Sequence, residues 1–326
     1  MTEYLLMGDI HLRDRPPSAC TDSYLDDILD LLRHVGTVAT QRQCEAIIWA
    51  GDVFDCKTPG RTSHRTLIDT IDLLHAYPCP TYVVPGNHDM QHDRLDSIAT
   101  TQPLGVLLAS GALNLLHGWM GPTDKLDTHG WLDPVYGVPW LQDFTDDTVH
   151  RALDLYREDP GDLDHHLVVT HAPLYPAGRE LPYENYPTTA WANAMNNHGS
   201  VFYGHVHEPH GVHTAAGVVF CNPGAISRGS LHEHNLHRPI QVAAWDSATG
   251  QFTLLDIPHK PADQVFRLNH VTQTRNAQAT LNQFLDTIGQ ASIEITSIEA
   301  VMDHVRTLKL APRVETTILT LLKEAE

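Results

Sequence analysis

The sequence predicts a layered α/β fold. Short apolar runs of β character alternate with amphipathic helical stripes, and Asp, Asn and His recur just after those runs. The runs are Tyr4 to Met7, Ala46 to Ala50, Thr81 to Val84, Leu167 to Val169 and Val201 to Tyr203, short enough for buried strands. Gly51-Asp52-Val53-Phe54-Asp55 follows the second run, so Asp52 falls just past a strand's carboxyl end, the edge where layered α/β folds gather ligands. The other runs lead into Gly8-Asp9-Ile10-His11, Gly86-Asn87-His88-Asp89, Thr170-His171-Ala172-Pro173 and Gly204-His205-Val206-His207. Five strand ends can thereby bring seven ligands to one rim. Oxygen donors mixed with imidazoles suit manganese, iron or zinc rather than a thiolate site. A carboxylate shared by two such ions holds them about 3.5–4 Å apart, a geometry that splits phosphate esters.

Size and composition bound the rest. At 326 residues the chain can bury a full core, as one large domain or one plus an appendage. No apolar run approaches the roughly 20 residues that span a bilayer. Met1-Thr2-Glu3-Tyr4 shows no basic region followed by an apolar core, so no signal peptide is read and a cytoplasmic setting without membrane contact is expected. Cys20, Cys44, Cys56, Cys79 and Cys221 are odd in number and form no Cys-x-x-Cys pair, which reads as free thiols in a reducing compartment. Cys56 lies near Asp52, but an oxygen and nitrogen ligand set is complete without it. The net charge of −19 argues against gripping duplex DNA by bulk electrostatics. A nuclease remains compatible with it if metals neutralise the acidic site and a partner supplies basic surface.

Along the chain, Asp9 and His11 are two apart and so point to the same side of a strand end. Residues 22 to 42 read as a helix, with Tyr24, Ile28, Leu31, Leu32, Val35 and Val38 on one face and Thr21 or Asp22 as cap. Thr62 to Ala76 reads as a second helix, and Asp93 to Ala109 as helical in part, interrupted by Pro103 and Gly105. Leu113 to His117 and Val135 to Pro139 suggest short strands, and Asp146 to Tyr156 has helical spacing. Leu174 to Tyr186 reads as a long cleft-shaping loop whose Tyr175, Tyr183 and Tyr186 either stack on bases or anchor the loop. Val218 to Cys221, Ile240 to Trp245 and Phe252 to Ile257 read as antiparallel strands continuing the second sheet, with a turn over Asp246 to Gly250. His232, His234 and His237 read as exposed histidines near a negative rim in preference to a third metal site.

The texture changes at Pro258-His259-Lys260-Pro261, which divides the chain into residues 1–257 and 258–326. Three helical patterns follow: Ala277 to Ile288 with Gly289 as stop, a capping box at Thr296 and Glu299 leading to Leu308, and Pro312 to Leu322. This tail is too small for a strong core of its own and should dock on something.

The order Asp-x-His, Gly-Asp-x-x-Asp, Gly-Asn-His-Asp, His, Gly-His-x-His resembles that of the calcineurin-like metallophosphoesterases. The variants Gly-Asp-Ile-His-Leu, Gly-Asp-Val-Phe-Asp and Gly-Asn-His-Asp look most like the SbcD (Mre-type) DNA repair nucleases, as does Asn222-Pro223-Gly224-Ala225 followed by Arg228. The motifs cover about residues 4 to 230 and are specific as a set; Arg13 departs from the glycine common there. The resemblance implies a four-layer α-β-β-α sandwich with a small C-terminal helical appendage. It implies two divalent metals, manganese foremost, with Asp9, His11 and His207 on one, Asn87, His171 and His205 on the other, and Asp52 bridging. The metals would bind the phosphodiester and activate water, His88 would protonate the leaving group, and Asp55 would hold the His88 ring and favour its charged form.

For function, the resemblance implies a DNA exo- or endonuclease in repair or recombination, working with an SbcC-type coiled-coil ATPase. C-terminal elements would shape the DNA channel and hold that partner, or form a helical cap on the chain's own body, and helices within residues 93–109 would form a homodimer or pack on their own sheet. The alternative is a small-molecule phosphoesterase acting on cyclic nucleotides or dinucleotide polyphosphates, which the acidic charge favours. A non-catalytic scaffold is the least favoured reading, because every ligand position and the acid are filled.

Overall fold

A computed structural model of the chain describes residues 2–55, 59–119, 135–158, 165–178 and 185–268, with positions 305, 306, 316 and 318. The chain divides into two compact units, Met1–Arg267 and Leu268–Glu326. The three helical patterns read beyond residue 276 lie almost wholly outside the described residues, as does Cys56. The first unit extends beyond residue 257 because the following segment pairs back onto the body. Thr21 N–H donates to Val265 O at 2.9 Å, Arg267 N–H donates to Ala19 O at 2.8 Å, and Phe266 is buried.

In chain order the first half forms β1 (Glu3–Met7), α1 (Tyr24–Arg42), β2 (Ala46–Trp49), α2 (His64–His75), β3 (Thr81–Val83), α3 (Asp96–Thr101), α4 (Pro103–Ala109), β4 (Asn114–Leu115), β5 (Gly118–Trp119) and β6 (Val135–Val138). Then come α5 (Asp146–Ala152), α6 (Asp154–Glu158), β7 (Leu167–His171), β8 (Leu174–Tyr175), β9 (Tyr186–Pro187), α7 (Thr188–Ala194), β10 (Ser200–Gly204), β11 (Gly211–Ala215) and β12 (Val218–Asn222). The unit closes with α8 (Glu233–His237), β13 (Gln241–Asp246), β14 (Gln251–Asp256) and α9 (Ala262–Val265).

Local chemistry explains the breaks. Pro103 forces Gln102 into extended backbone (ψ 146°), so the helical stretch expected over residues 93–109 splits into α3 and α4. Ser63 caps α2 by accepting from Thr66 N–H at 3.2 Å. The stripe of α1 is the buried face, with Tyr24, Ile28, Leu31, Leu32, Val35 and Ala39 inside.

The main strands form two six-stranded sheets, ordered β14-β13-β1-β2-β3-β4 and β11-β12-β10-β7-β6-β5. Within them β1, β2, β3 and β4 run parallel to one another, as do β6, β7, β10 and β12. Parallel strands buried on both faces read as unbroken apolar runs, which is why the sequence shows them plainly. The sheets face each other across a core that includes Tyr4, Leu6, Ile48, Tyr82, Val169, Phe202 and Trp245. The outer face of the second sheet packs Val168, Val201 and Tyr203 against Val149, Leu153, Trp191 and Met195 of the helical layer. This is the four-layer α-β-β-α arrangement.

Strand membership corrects one expectation. β13 and β14 do not continue the second sheet; they join the first, with β13 antiparallel to β1. The register puts Trp245 opposite Tyr4, so its indole fills the inter-sheet core, their rings 5.9 Å apart. β12 stays in the second sheet but runs parallel to β10. The expected loop from Leu174 to Tyr186 is pinned at its ends by the short pair β8–β9. Tyr186 is buried there and donates to Asp146 Oδ1 at 2.6 Å, so this tyrosine anchors the loop, while Tyr183 lies outside the described residues.

Phe202 is fully buried between the sheets. Phe202→Ala should cost about 3–5 kcal/mol, seen as a lower urea midpoint with an unchanged m-value. A cost near zero would mean that the sheets are not held by this contact.

Candidate active site

The parallel strands of both sheets end on one edge, and the loops leaving them interlock there. Ile10 and His11 N–H both donate to Asp52 O, at 3.1 and 2.9 Å, and Leu12 N–H donates to Val53 O at 2.8 Å. The loop after β1 is thereby laced to the loop after β2. The loop after β3 joins through Asp52 Oδ1, which accepts from His88 N–H at 2.9 Å. The loop after β10 joins through Asp9, whose carboxylate oxygens accept from His205 N–H at 3.0 and 3.1 Å. Close approach at this edge demands glycine. A Cβ on Gly86 would lie 2.2 Å from Asp52 Oδ1, and one on Gly51, at φ +88°, would lie 2.4 Å from His171 Nδ1.

All seven expected ligand positions converge. His11 Nε2 and His207 Nε2 are 3.0 Å apart, and His207 Nε2 lies 3.7 Å from Asp9 Oδ1. On the other side, Asn87 Oδ1 lies 3.1 Å from His171 Nε2 and 3.3 Å from His205 Nδ1. Asp52 Oδ2 stands between, 3.7 Å from His11 Nε2 and 3.4 Å from His171 Nε2. Asp9–His11–His207 and Asp52–His171–His205 each group their donor atoms closely enough to hold a metal ion, as does His11–Asp52–His88.

His88 sits beside this array, its ring 5.0 Å from that of His11. Its Nδ1 pairs with Asp55 O at 2.7 Å. The expected contact with Asp55 therefore runs through the main-chain carbonyl. The Asp55 carboxylate is instead engaged by Arg13 Nη1 at 2.9 Å and lies 3.9 Å from His11 Nδ1.

Three residues shape the site without having been assigned a role from sequence. Buried Asp89 accepts from Gly86 N–H at 2.9 Å and Val53 N–H at 3.0 Å, tying the second and third loops together. Asn222 donates through Nδ2 to Tyr203 O and Val206 O, both at 3.1 Å, bracing the turn that carries His205 and His207. Trp140 lies against the His205 ring at 4.7 Å. Asp89 and Asn222 stand in motifs that the sequence displays; Trp140 carries no such signal. His232 and His234 line the same cleft, of about 810 Å³, their rings stacked 5.6 Å apart.

A model of the calcineurin-like phosphoesterase family matches residues 3–209. The chain belongs to the calcineurin-like phosphoesterases. This phosphoesterase is thus a metal-dependent hydrolase of a family that works with two metal ions. It is 24% identical over 147 residues to the SbcD component of the nuclease SbcCD from Bacillus subtilis strain 168, a match covering 40% of this chain and 37% of that protein. Its fold is similar to the crystal structure of TT1561 from Thermus thermophilus, with a TM-score of 0.50 at 13% identity over 79% of this chain and 99% of that one. A dimetal phosphatase from Danio rerio aligns with a TM-score of 0.47 at 13% identity, over 79% and 99% of the two chains.

The donors fit metal ions. His171 Nδ1 donates to Ala50 O at 2.7 Å, which leaves Nε2 facing Asp52 and Asn87, the atom that would bind a metal ion on giving up its proton. Burial lowers His11 and His205 to about 3, keeping both neutral, the form that coordinates metal. Burial would lower His171 as well, but the Asp52 carboxylate beside it lifts it to about 9. Asp52 is itself held well below the usual carboxylate range: burial works against this, and the neighbouring His171 and His11 outweigh it.

A histidine raised in the folded state contributes stability that is complete below its unfolded value, near 6.5, and is lost as pH rises through the folded value. For His171 that window runs from about 6.5 to about 9. The metal-free protein should therefore lose stability between pH 7 and 9, by up to about 1.4 kcal/mol per pH unit. His171→Gln should remove that slope in chemical denaturation with a chelator present. A wild-type slope of zero would contradict the ion pair.

Proposed function

We propose that this phosphoesterase is a two-metal phosphodiesterase that cuts DNA as an SbcD-type nuclease. The observation that carries the reading is the meeting of two ligand groups at Asp52, with His88 alongside, in one open cleft. Asp9, His11 and His207 would hold one ion, Asn87, His171 and His205 the other, and Asp52 would be shared. When bound, the two cations, manganese foremost, polarise the phosphoryl oxygens and lower the pKa of a coordinated water.

The chain's own residues supply the rest. Asp9 and Asp52 place anionic oxygens where cations are needed, and their burial excludes bulk water. His88 has Nδ1 committed to Asp55 O, so its Nε2 is the atom that gives a proton to the leaving oxygen. Asp55 acts as a positioning residue through its carbonyl.

DNA as substrate is supported by the motif wording and by the similarity to the SbcD component of SbcCD. An SbcC-type coiled-coil ATPase would be the partner and would supply basic surface. A second copy could pack on α3 and α4, where Val106 is 44% exposed. No helix among the described residues is long and apolar enough to cross a membrane. One observation favours the second reading, a small diester as substrate. Arg13 is the sole Lys or Arg among the described cleft-lining residues, and it is paired with Asp55.

End-labelled duplex DNA incubated with manganese should be shortened by the wild type and not by Asp52→Ala. Cleavage of a chromogenic phosphodiester but of no DNA, even with a candidate ATPase added, would select the small-substrate reading. His88→Ala should lower kcat about 10²–10⁴-fold while manganese binding by calorimetry stays at the wild-type stoichiometry. Loss of metal in that variant would make His88 a structural residue and sink its role as the acid.

A further inference from the structure

We propose that Trp140 is the platform on which the nucleobase next to the bound phosphate stacks. The inference rests on the phosphodiesterase reading above and assigns a base-recognition residue within it. Trp140 follows β6 and is fixed at its main chain, where its N–H donates to Pro85 O at 3.0 Å. Its ring packs edge-to-face on Phe144 at 4.9 Å. The same ring lies 4.7 Å from His205 and 5.9 Å from His171, two of the proposed ligands. A phosphate held at those ligands would lie within reach of the indole.

The indole is only half-buried, and it borders two cavities. One is the catalytic cleft of about 810 Å³, and the other is an adjoining space of about 420 Å³ that includes Tyr136 and Leu141 in its wall. Among the described residues, Trp140 is the one lining residue that the two spaces share, so its ring offers surface beside the cleft. Charge points the same way. With Arg13 tied to Asp55, the described cleft lining offers no unpaired Lys or Arg to grip a neighbouring phosphate. Affinity for the rest of the substrate must come from another source, and base–aromatic stacking is strong and indifferent to base identity.

The test is equilibrium binding to the manganese-loaded full chain, with deoxyadenosine 5′-monophosphate and deoxyribose 5-phosphate as probes. Wild type should bind the nucleotide about tenfold more tightly. Trp140→Phe should keep most of that preference. Trp140→Leu should abolish it while leaving deoxyribose 5-phosphate and manganese affinity within about twofold of wild type, as loss of a stacking surface alone requires. Equal binding of the two probes by wild type would overturn the inference and leave the phosphodiesterase reading standing. So would a Trp140→Leu variant that loses both probes, or manganese, in equal measure, since Trp140 would then merely support His205. A Trp140-dependent base preference in a protein that hydrolyses no phosphodiester would sink the catalytic reading and keep the nucleotide site.

Discussion

Everything at the candidate catalytic edge depends on one buried carboxylate, Asp52. Its main-chain oxygen takes two N–H groups from the loop after β1, its Oδ1 takes the His88 N–H, and its Oδ2 faces His11 and His171. A buried anion is costly unless it is paired and hydrogen-bonded. Here it is satisfied by the same groups that form the site, so stability and site geometry are one problem. The backbone bears some of the cost. Asp52, His11 and His205 all have positive φ, at 50°, 51° and 86°, a conformation that side-chain-bearing residues adopt rarely and that clusters at functional sites.

The sheets make this arrangement possible. Parallel β1, β2 and β3 deliver Asp9, Asp52 and Asn87 from one sheet, and parallel β7 and β10 deliver His171, His205 and His207 from the other. Because the sheets share an apolar core, the two candidate ligand groups face each other across its edge. Asp89 and Asn222 then fix the loops by main-chain hydrogen bonds. Asp89 shares its motif with the candidate ligand Asn87, and Asn222 braces the turn that carries His205 and His207, which gives both a physical reason to stand beside the site.

Much of this was legible in the sequence, for definable reasons. Strands buried on both faces leave continuous apolar runs, and the ligands follow each run directly, so both the edge and its chemistry could be read locally. What escaped depends on distant pairing or on main-chain atoms. Nothing in the runs at Ile240–Trp245 and Phe252–Ile257 says which sheet they join, because edge position is decided by the partner strand β1. The Asp55 carboxylate looked like the support for His88, but residue identity is silent about a carbonyl. Short α7, with the sequence Thr-Thr-Ala-Trp-Ala-Asn-Ala, has too few turns to show a period, although its Trp191 is fully buried. Trp140 looks like any core aromatic until the fold places it against His205, 65 positions away in the sequence.

The site is acidic within an acidic chain, and the proposed metal ions shared through Asp52 would balance that charge. The most direct measurement is the manganese stoichiometry of the purified full chain and of Asp52→Asn, by elemental analysis after equilibrium dialysis. The account predicts two ions per wild-type chain and at most one in the variant, with the fold intact by circular dichroism. One ion in wild type, or two retained without the Asp52 carboxylate, would contradict it.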